Sequence, residues 1–143
     1  MCGNDSIAGH AVRALSECRM AGKVCVVGQD ADLDACQRIV EGTQCMTVYK
    51  PVEKLARRAA ELAVALAEGS GIATAGAAGS DPAFSGNSGT DPQEITVQDS
   101  IHDGTWQVPY ECLEPVAVTR ENMDEVITGK YHEENDIYLN VRN

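Results

Sequence analysis

An α/β layered fold, with a three-layer parallel sheet flanked by helices, is the class this sequence predicts, and three observations predict it. Apolar stripes at helical spacing alternate with short β-branched runs between residues 1 and 68. The short runs carry no polar alternation, as strands covered on both faces by helices do not. Glycine or proline stands at most changes of pattern.

Asn4, Asp5 and Ser6 supply cap-type side chains ahead of Ile7, Val12 and Leu15, whose helical spacing continues to about Met20 before Ala21 and Gly22 stop it. Lys23 to Gly28 (KVCVVG) is expected as a strand ended by glycine. Leu33 to Val40 returns to helical spacing, with Gly42 as its stop. Cys45 to Tyr49 reads as a second strand, and Pro51 takes the first position of a new helix while forcing Lys50 to be extended. From Val52 to Glu68, the residues Val52, Leu55, Ala56, Ala59, Leu62, Ala63 and Leu66 form one apolar stripe opposite Lys54, Arg57, Arg58 and Glu61.

Gly69 to Pro92 collapses to Gly, Ala, Ser, Thr and Asp with one aromatic, Phe84, and is expected as a flexible surface insertion because little in it offsets the entropy of ordering. Ile95 and Val97 alternate, Trp106 to Val118 with Pro109 and Pro115 suits irregular edge strands, and a short helix is expected from Met123 to Ile127.

Several functions are excluded or disfavoured by composition. A formal charge of −11 with scattered Lys and Arg repels phosphate backbones, so nucleic acid is not expected as a partner. No run approaches a membrane span. Residues 1–10 read as a turn entering a helix, so no export signal is expected in this chain. Cys2, Cys18, Cys25, Cys36, Cys45 and Cys112 include no C-x-x-C pair and are expected as small buried hydrophobes, with one or two disulfides open to an exported protein.

Asp30, Asp32, Asp34 and Glu41 imitate a calcium loop, but Ala35 stands where the turn needs glycine and a strand precedes Asp30, so no metal is expected. His10, His102 and His132 show no ligand spacing, and G-x-S-x-G is absent, so neither an enzyme nor a cofactor is indicated. Trp106 is expected to pack rather than to stack on a ligand.

Three segments carry a family resemblance: NDSIAGHAVRAL at Asn4 to Leu15, GKVCVVGQDAD at Gly22 to Asp32, and IVEGTQCMTVYKP at Ile39 to Pro51, with DGTWQVPYECLEPVAVTRENMDEVI extending it. The chain resembles the C-terminal portion of periplasmic sugar-binding proteins of ABC transporters, of the D-xylose-binding type. The resemblance implies a type 1 periplasmic-binding-protein fold, here the C-terminal lobe plus a crossover helix, spanning residues 1–143 with the 69–92 insertion inside it. It further implies that Asn4, Asp30 and Lys50 contact sugar from loops at the carboxyl ends of strands.

Those roles make chemical sense: a carboxylate accepts from a sugar hydroxyl, an ammonium donates to one, and an amide does both. Taken without the resemblance, Asn4 and Asp5 read as caps, Asp30 as a turn residue and Lys50 as a solvated flank. The expected function is non-catalytic binding of a pentose-like monosaccharide. The expected partners of the full-length receptor are that sugar and an ABC transporter permease outside the cytoplasm. The resemblance also leaves the Val52 to Glu68 stripe without the lobe it would face, so a homodimer of the isolated chain is expected. Two alternatives are a sugar-independent oligomerisation module and the effector domain of a sugar-responsive regulator. The second is disfavoured because no helix-turn-helix accompanies it.

Overall fold

The computed structural model describes residues 1–74 and 95–141. The chain forms two compact units: Met1–Lys50 together with the residues from Glu114, and Pro51–Leu113. Among the described residues no helix is long and apolar enough to cross a membrane.

The first unit holds helix α1 (Asp5–Glu17), helix α2 (Leu33–Glu41), strand β1 (Thr47–Tyr49), strand β6 (Val116–Val118), and the short helices α4 (Met123–Val126) and α5 (Glu134–Ile137). Helix α1 starts where Asn4 Oδ1 accepts from the Ile7 N–H at 2.9 Å. It stops sooner than the apolar spacing predicts, because Arg19 turns into the left-handed region at φ 56°. Helix α2 closes as expected on Gly42, whose φ of 84° is a conformation glycine adopts without strain.

The expected strand at Lys23 to Gly28 is reduced to a parallel bridge, Val27 to Met46. Its backbone nevertheless runs parallel to residues 45–48: Cys45 N–H donates to Val26 O (2.8 Å), Gly28 N–H to Met46 O (3.1 Å) and Asp30 N–H to Val48 O (2.9 Å). On its other side Cys2 N–H donates to Val27 O (2.9 Å) and Asp5 N–H to Gln29 O (2.8 Å). On the far edge β1 pairs antiparallel with β6, Val48 opposite Ala117. The layer is therefore mixed rather than wholly parallel.

Two apolar clusters cover it. Cys36, Ile39 and Val40 of α2 pack with Val118, Met123, Ile127 and Ile137, while Ala8 and Val12 of α1 pack on Val26. Of the six cysteines only Cys36 is buried; Cys18, Cys25, Cys45 and Cys112 are exposed, which corrects their reading as core residues. The exposed ones stand at the ends of helices and strands, where apolar character is not needed for packing.

The second unit contains α3 (Val52–Ala67), β2 (Ile72–Thr74), β3 (Ile95–Val97), β4 (Asp99–His102) and β5 (Gln107–Tyr110). Strands β2 and β3 pair in parallel, Ile72 opposite Ile95. Strand β2 falls at the start of the Gly69 to Pro92 segment expected as a loop; residues 75–92 of that segment lie outside the described residues. Strands β4 and β5 form a hairpin, His102 opposite Gln107. At its turn Asp103 Oδ1 accepts from the N–H groups of Thr105 (2.8 Å) and Trp106 (2.7 Å), which hold its carboxyl below the usual carboxylate range. Trp106 sits exposed at that turn, so it does not pack as expected. Arg58 ties α3 to this unit through Glu111 (2.8 Å) and the Thr96 carbonyl (3.2 Å). The α3 stripe stays largely open: Val52, Leu55 and Leu66 are exposed and only Ala65 of the helix is buried.

In the first unit, the most constrained position is Gly28. A Cβ built there would stand 2.0 Å from Asp5 Oδ1 and 3.0 Å from Gln44 Nε2, on a carboxylate that is 1% exposed and has nowhere to retreat. Gly28→Ala is expected to cost about 1–3 kcal/mol, the range for overpacking. Urea denaturation of the variant beside the parent checks this, and an unchanged midpoint would show that the Asp5 contact yields freely.

Candidate functional site

The site is built on the loop that leaves the residue 25–28 segment. Asp30 has φ 105° and Ala31 φ 56°, left-handed conformations that non-glycine residues adopt only when their surroundings hold them there. Three consecutive backbone donors do the holding. Asp30 N–H reaches Val48 O (2.9 Å), Ala31 N–H reaches Thr47 Oγ1 (3.2 Å), and Asp32 N–H reaches Asp5 Oδ2 (3.1 Å). The Ala31 carbonyl accepts from His132 Nε2 at 2.9 Å, which requires a proton on Nε2 because a carbonyl has none to give.

The buried Asp5 carboxylate organises this loop. Its Oδ2 accepts from Thr47 Oγ1 (2.7 Å) as well as from Asp32 N–H, and its Oδ1 accepts from Gln44 Nε2 (2.9 Å). Arg38 braces the group from α2, donating to the Asp5 carbonyl (3.0 Å) and to Gln44 Oε1 (3.0 Å). The sequence marks Asp5 only as a cap; its burial depends on Gln44 and Thr47, about forty residues away. Hydrogen bonds from distant segments leave no periodic signal.

Asp30 and Lys50 meet directly. Lys50 Nζ lies 2.6 Å from Asp30 Oδ1, with the two side chains 45% and 39% exposed. They stand at the carboxyl ends of two neighbouring parallel segments, the position at which open α/β sheets bind ligands. Asn4 adjoins the same loop, since the next residue, Asp5, donates its N–H to Gln29 O. Its Oδ1 is engaged by the Ile7 N–H as an N-cap, so Asn4 is a cap in the structure and keeps its amide N–H₂ as a donor. An aromatic wall not marked by the sequence stands in the same unit: Tyr131 packs on Tyr49 at 5.1 Å between ring centroids and on His132 at 4.5 Å, and remains half exposed.

The acids that imitate a calcium loop are dispersed in their bonding. Asp30 pairs with Lys50, and Glu41 Oε1 accepts from Asn140 Nδ2 at 2.7 Å. No group of three or more His, Cys, Asp and Glu among the described residues is arranged to hold a metal ion. Partial burial, followed by repulsion from Asp5, Asp30 and Asp34, pushes the Asp32 carboxyl above its usual range.

A buried carboxylate, a loop with two positive φ angles and a partly exposed ion pair thus stand together at the carboxyl ends of parallel segments. Residues 1–71 match the periplasmic binding protein domain family. The chain is similar to part of the D-xylose-binding periplasmic proteins. It is 39% identical over 136 residues to the one from Haemophilus influenzae and 38% identical over 135 residues to the one from Escherichia coli, in each case covering 94% of this chain and 34% of the relative. The chain thus spans about a third of the length of these relatives. The fold is shared with a solved ABC transporter solute-binding protein from Clostridium phytofermentans with bound β-D-glucose, at a TM-score of 0.61 and 23% identity, over 94% of this chain and 35% of that one.

Because its folded carboxyl is held above the usual range, Asp32 opposes folding increasingly as pH rises from its unfolded pKa to its folded one, and by a constant amount beyond that. Asp32→Asn keeps an N-cap residue and removes the repulsion. It is expected to raise the melting temperature slightly at neutral pH, by no more than about 0.5 kcal/mol because Asp32 is exposed. The gain should vanish in acid. Melting curves at neutral pH and in acid check this; a loss of stability at neutral pH would show that the Asp32 charge favours the α2 terminus more than its neighbours oppose it.

Proposed function

We propose that this chain supplies part of the sugar site of a solute-binding component of an ABC transporter for a xylose-like monosaccharide, acting outside the cytoplasm with a permease as its membrane partner and carrying out no chemistry. The observation that supports this best is the Asp30–Lys50 pair at 2.6 Å, exposed at the carboxyl ends of adjacent parallel segments. A pair open to solvent contributes little to folding. It is suited to exchange part of its mutual bond for sugar hydroxyls, the carboxylate accepting and the ammonium donating, with the Asn4 N–H₂ as a further donor. Charge-assisted bonds of this kind contribute on the order of 1.5–3 kcal/mol when desolvated.

Titration calorimetry of a receptor containing this segment with xylose, ribose, arabinose and glucose tests the reading. Saturable binding of a pentose is expected, weakened by about 2 kcal/mol or more in Asp30→Ala because hydroxyls would be left buried and unpaired. Lys50→Met should behave likewise. Unchanged affinity in a folded Asp30→Ala variant would remove Asp30 from the site.

A second reading is favoured by one observation, the open apolar face of α3, where Val52 and Leu55 are 60% and 55% exposed. Here the isolated chain forms a homodimer through this face. Size exclusion with light scattering should then give a dimer at tens of micromolar that Leu55→Glu shifts toward monomer. A well-folded monomer under those conditions would end this reading.

A further inference from the structure

Cys25 and Cys45 stand at the leading ends of the two neighbouring parallel segments whose trailing ends carry Asp30 and Lys50. The backbone joins them there: Cys45 N–H donates to the carbonyl of Val26, the residue after Cys25, at 2.8 Å, and the Val27–Met46 bridge follows immediately. The Val27–Met46 bridge sets Val26 opposite Cys45, so Cys25 lies one residue off register; with strands about 4.8 Å apart and a rise of about 3.3 Å per residue, the diagonal falls inside the Cα separation of about 4.4–6.8 Å that a disulfide spans. Interaction with the Cys25 thiol pushes the Cys45 thiol above the ordinary thiol range, in keeping with that proximity. Both residues are exposed, so a small oxidant reaches them.

Cys36, Cys2 and Cys112 do not compete on these terms. Cys36 is enclosed in the α2 core, where its Sγ donates to the Ala31 carbonyl and burial pushes its thiol up to about 12. Cys2 packs against the Ala8, Val12 and Val26 cluster. Cys112 belongs to the second unit and is hydrogen-bonded to Tyr110.

We propose that Cys25 and Cys45 are a redox-modification site that closes to an intramolecular disulfide on contact with a low-molecular-weight disulfide. One thiolate attacks a sulfur of the small disulfide and expels its partner as a thiolate. The other cysteine then loses its proton to solvent and attacks the protein sulfur of the mixed disulfide, expelling the second small thiolate. Two protein thiols are oxidised and one small disulfide is reduced to two thiols. The closed bond encloses residues 26–44, and with them the strained loop and all of α2. It thereby restricts the unfolded chain across the segment that carries Asp30. The site is independent of what the loop binds.

The test is to incubate the folded chain with oxidised glutathione, alkylate the remaining thiols, and map peptides without reduction. Cleavage at the aspartates of residues 30–34 separates Cys25 from Cys36. The expected product is a peptide pair joined through Cys25 and Cys45, lost in Cys25→Ser and in Cys45→Ser. The oxidised parent should melt several degrees above its reduced form, and the double serine variant should show no such difference. Recovery of both cysteines as alkylated thiols, as separate glutathione adducts, or joined to other cysteines would overturn the proposal. Because that readout is made on the parent chain, it holds even if a serine variant folds poorly.

Discussion

The first unit depends on one buried carboxylate. Asp5 is 1% exposed, and an ionised group so placed is tolerated only when its oxygens are well bonded. Three donors from three segments meet that need: Gln44 before β1, Thr47 within it, and the Asp32 backbone before α2. The same bonds place the start of α1, the loop at Asp30 and strand β1 against each other. Gly28 follows from the same constraint, since any side chain there would take the space the carboxylate fills.

From that centre the geometry of the Asp30 loop follows. The positive φ angles at Asp30 and Ala31 are unfavourable locally and persist because the amides on either side of them, and Thr47 Oγ1, have fixed partners. This turns the Asp30 carboxylate toward the end of β1, where Lys50 leaves the sheet. Pro51 keeps the chain extended as it passes from Lys50 into the second unit. The Asp30 carboxylate is thus carried on backbone whose amides all have fixed partners.

Much of the helical part was legible in the sequence, for a physical reason. The stripes of α1, α2 and α3 are local patterns, Gly42 is a local stop and Pro51 a local start, so spacing alone locates them to within a few residues. Strands of three residues are less legible, because Ile72–Thr74 exists by pairing with Ile95–Val97, and nothing in a Gly- and Ala-rich context announces that partner. At Lys23–Gly28 the apolar run is real, but only its end aligns with residues 45–48, so the expected strand shortens to a bridge. The cysteines were misread because residue type reports an average environment, while Cys25 and Cys45 occupy strand ends at the surface. The resemblance singled out Asp30 and Lys50, which the structure brings into contact; the network beneath them, Asp5 with Gln44 and Thr47, was not legible because its members are far apart in sequence.

The three successive amides of Asp30, Ala31 and Asp32 have a consequence for how this region breathes. Each is bonded to a different acceptor, on Val48, Thr47 and Asp5, and two of those acceptors are themselves bonded to each other. Releasing one amide therefore loosens the support of the next. The amides of Ala31 and Asp32 are expected to exchange with solvent water together, when the start of α1 lifts from Thr47.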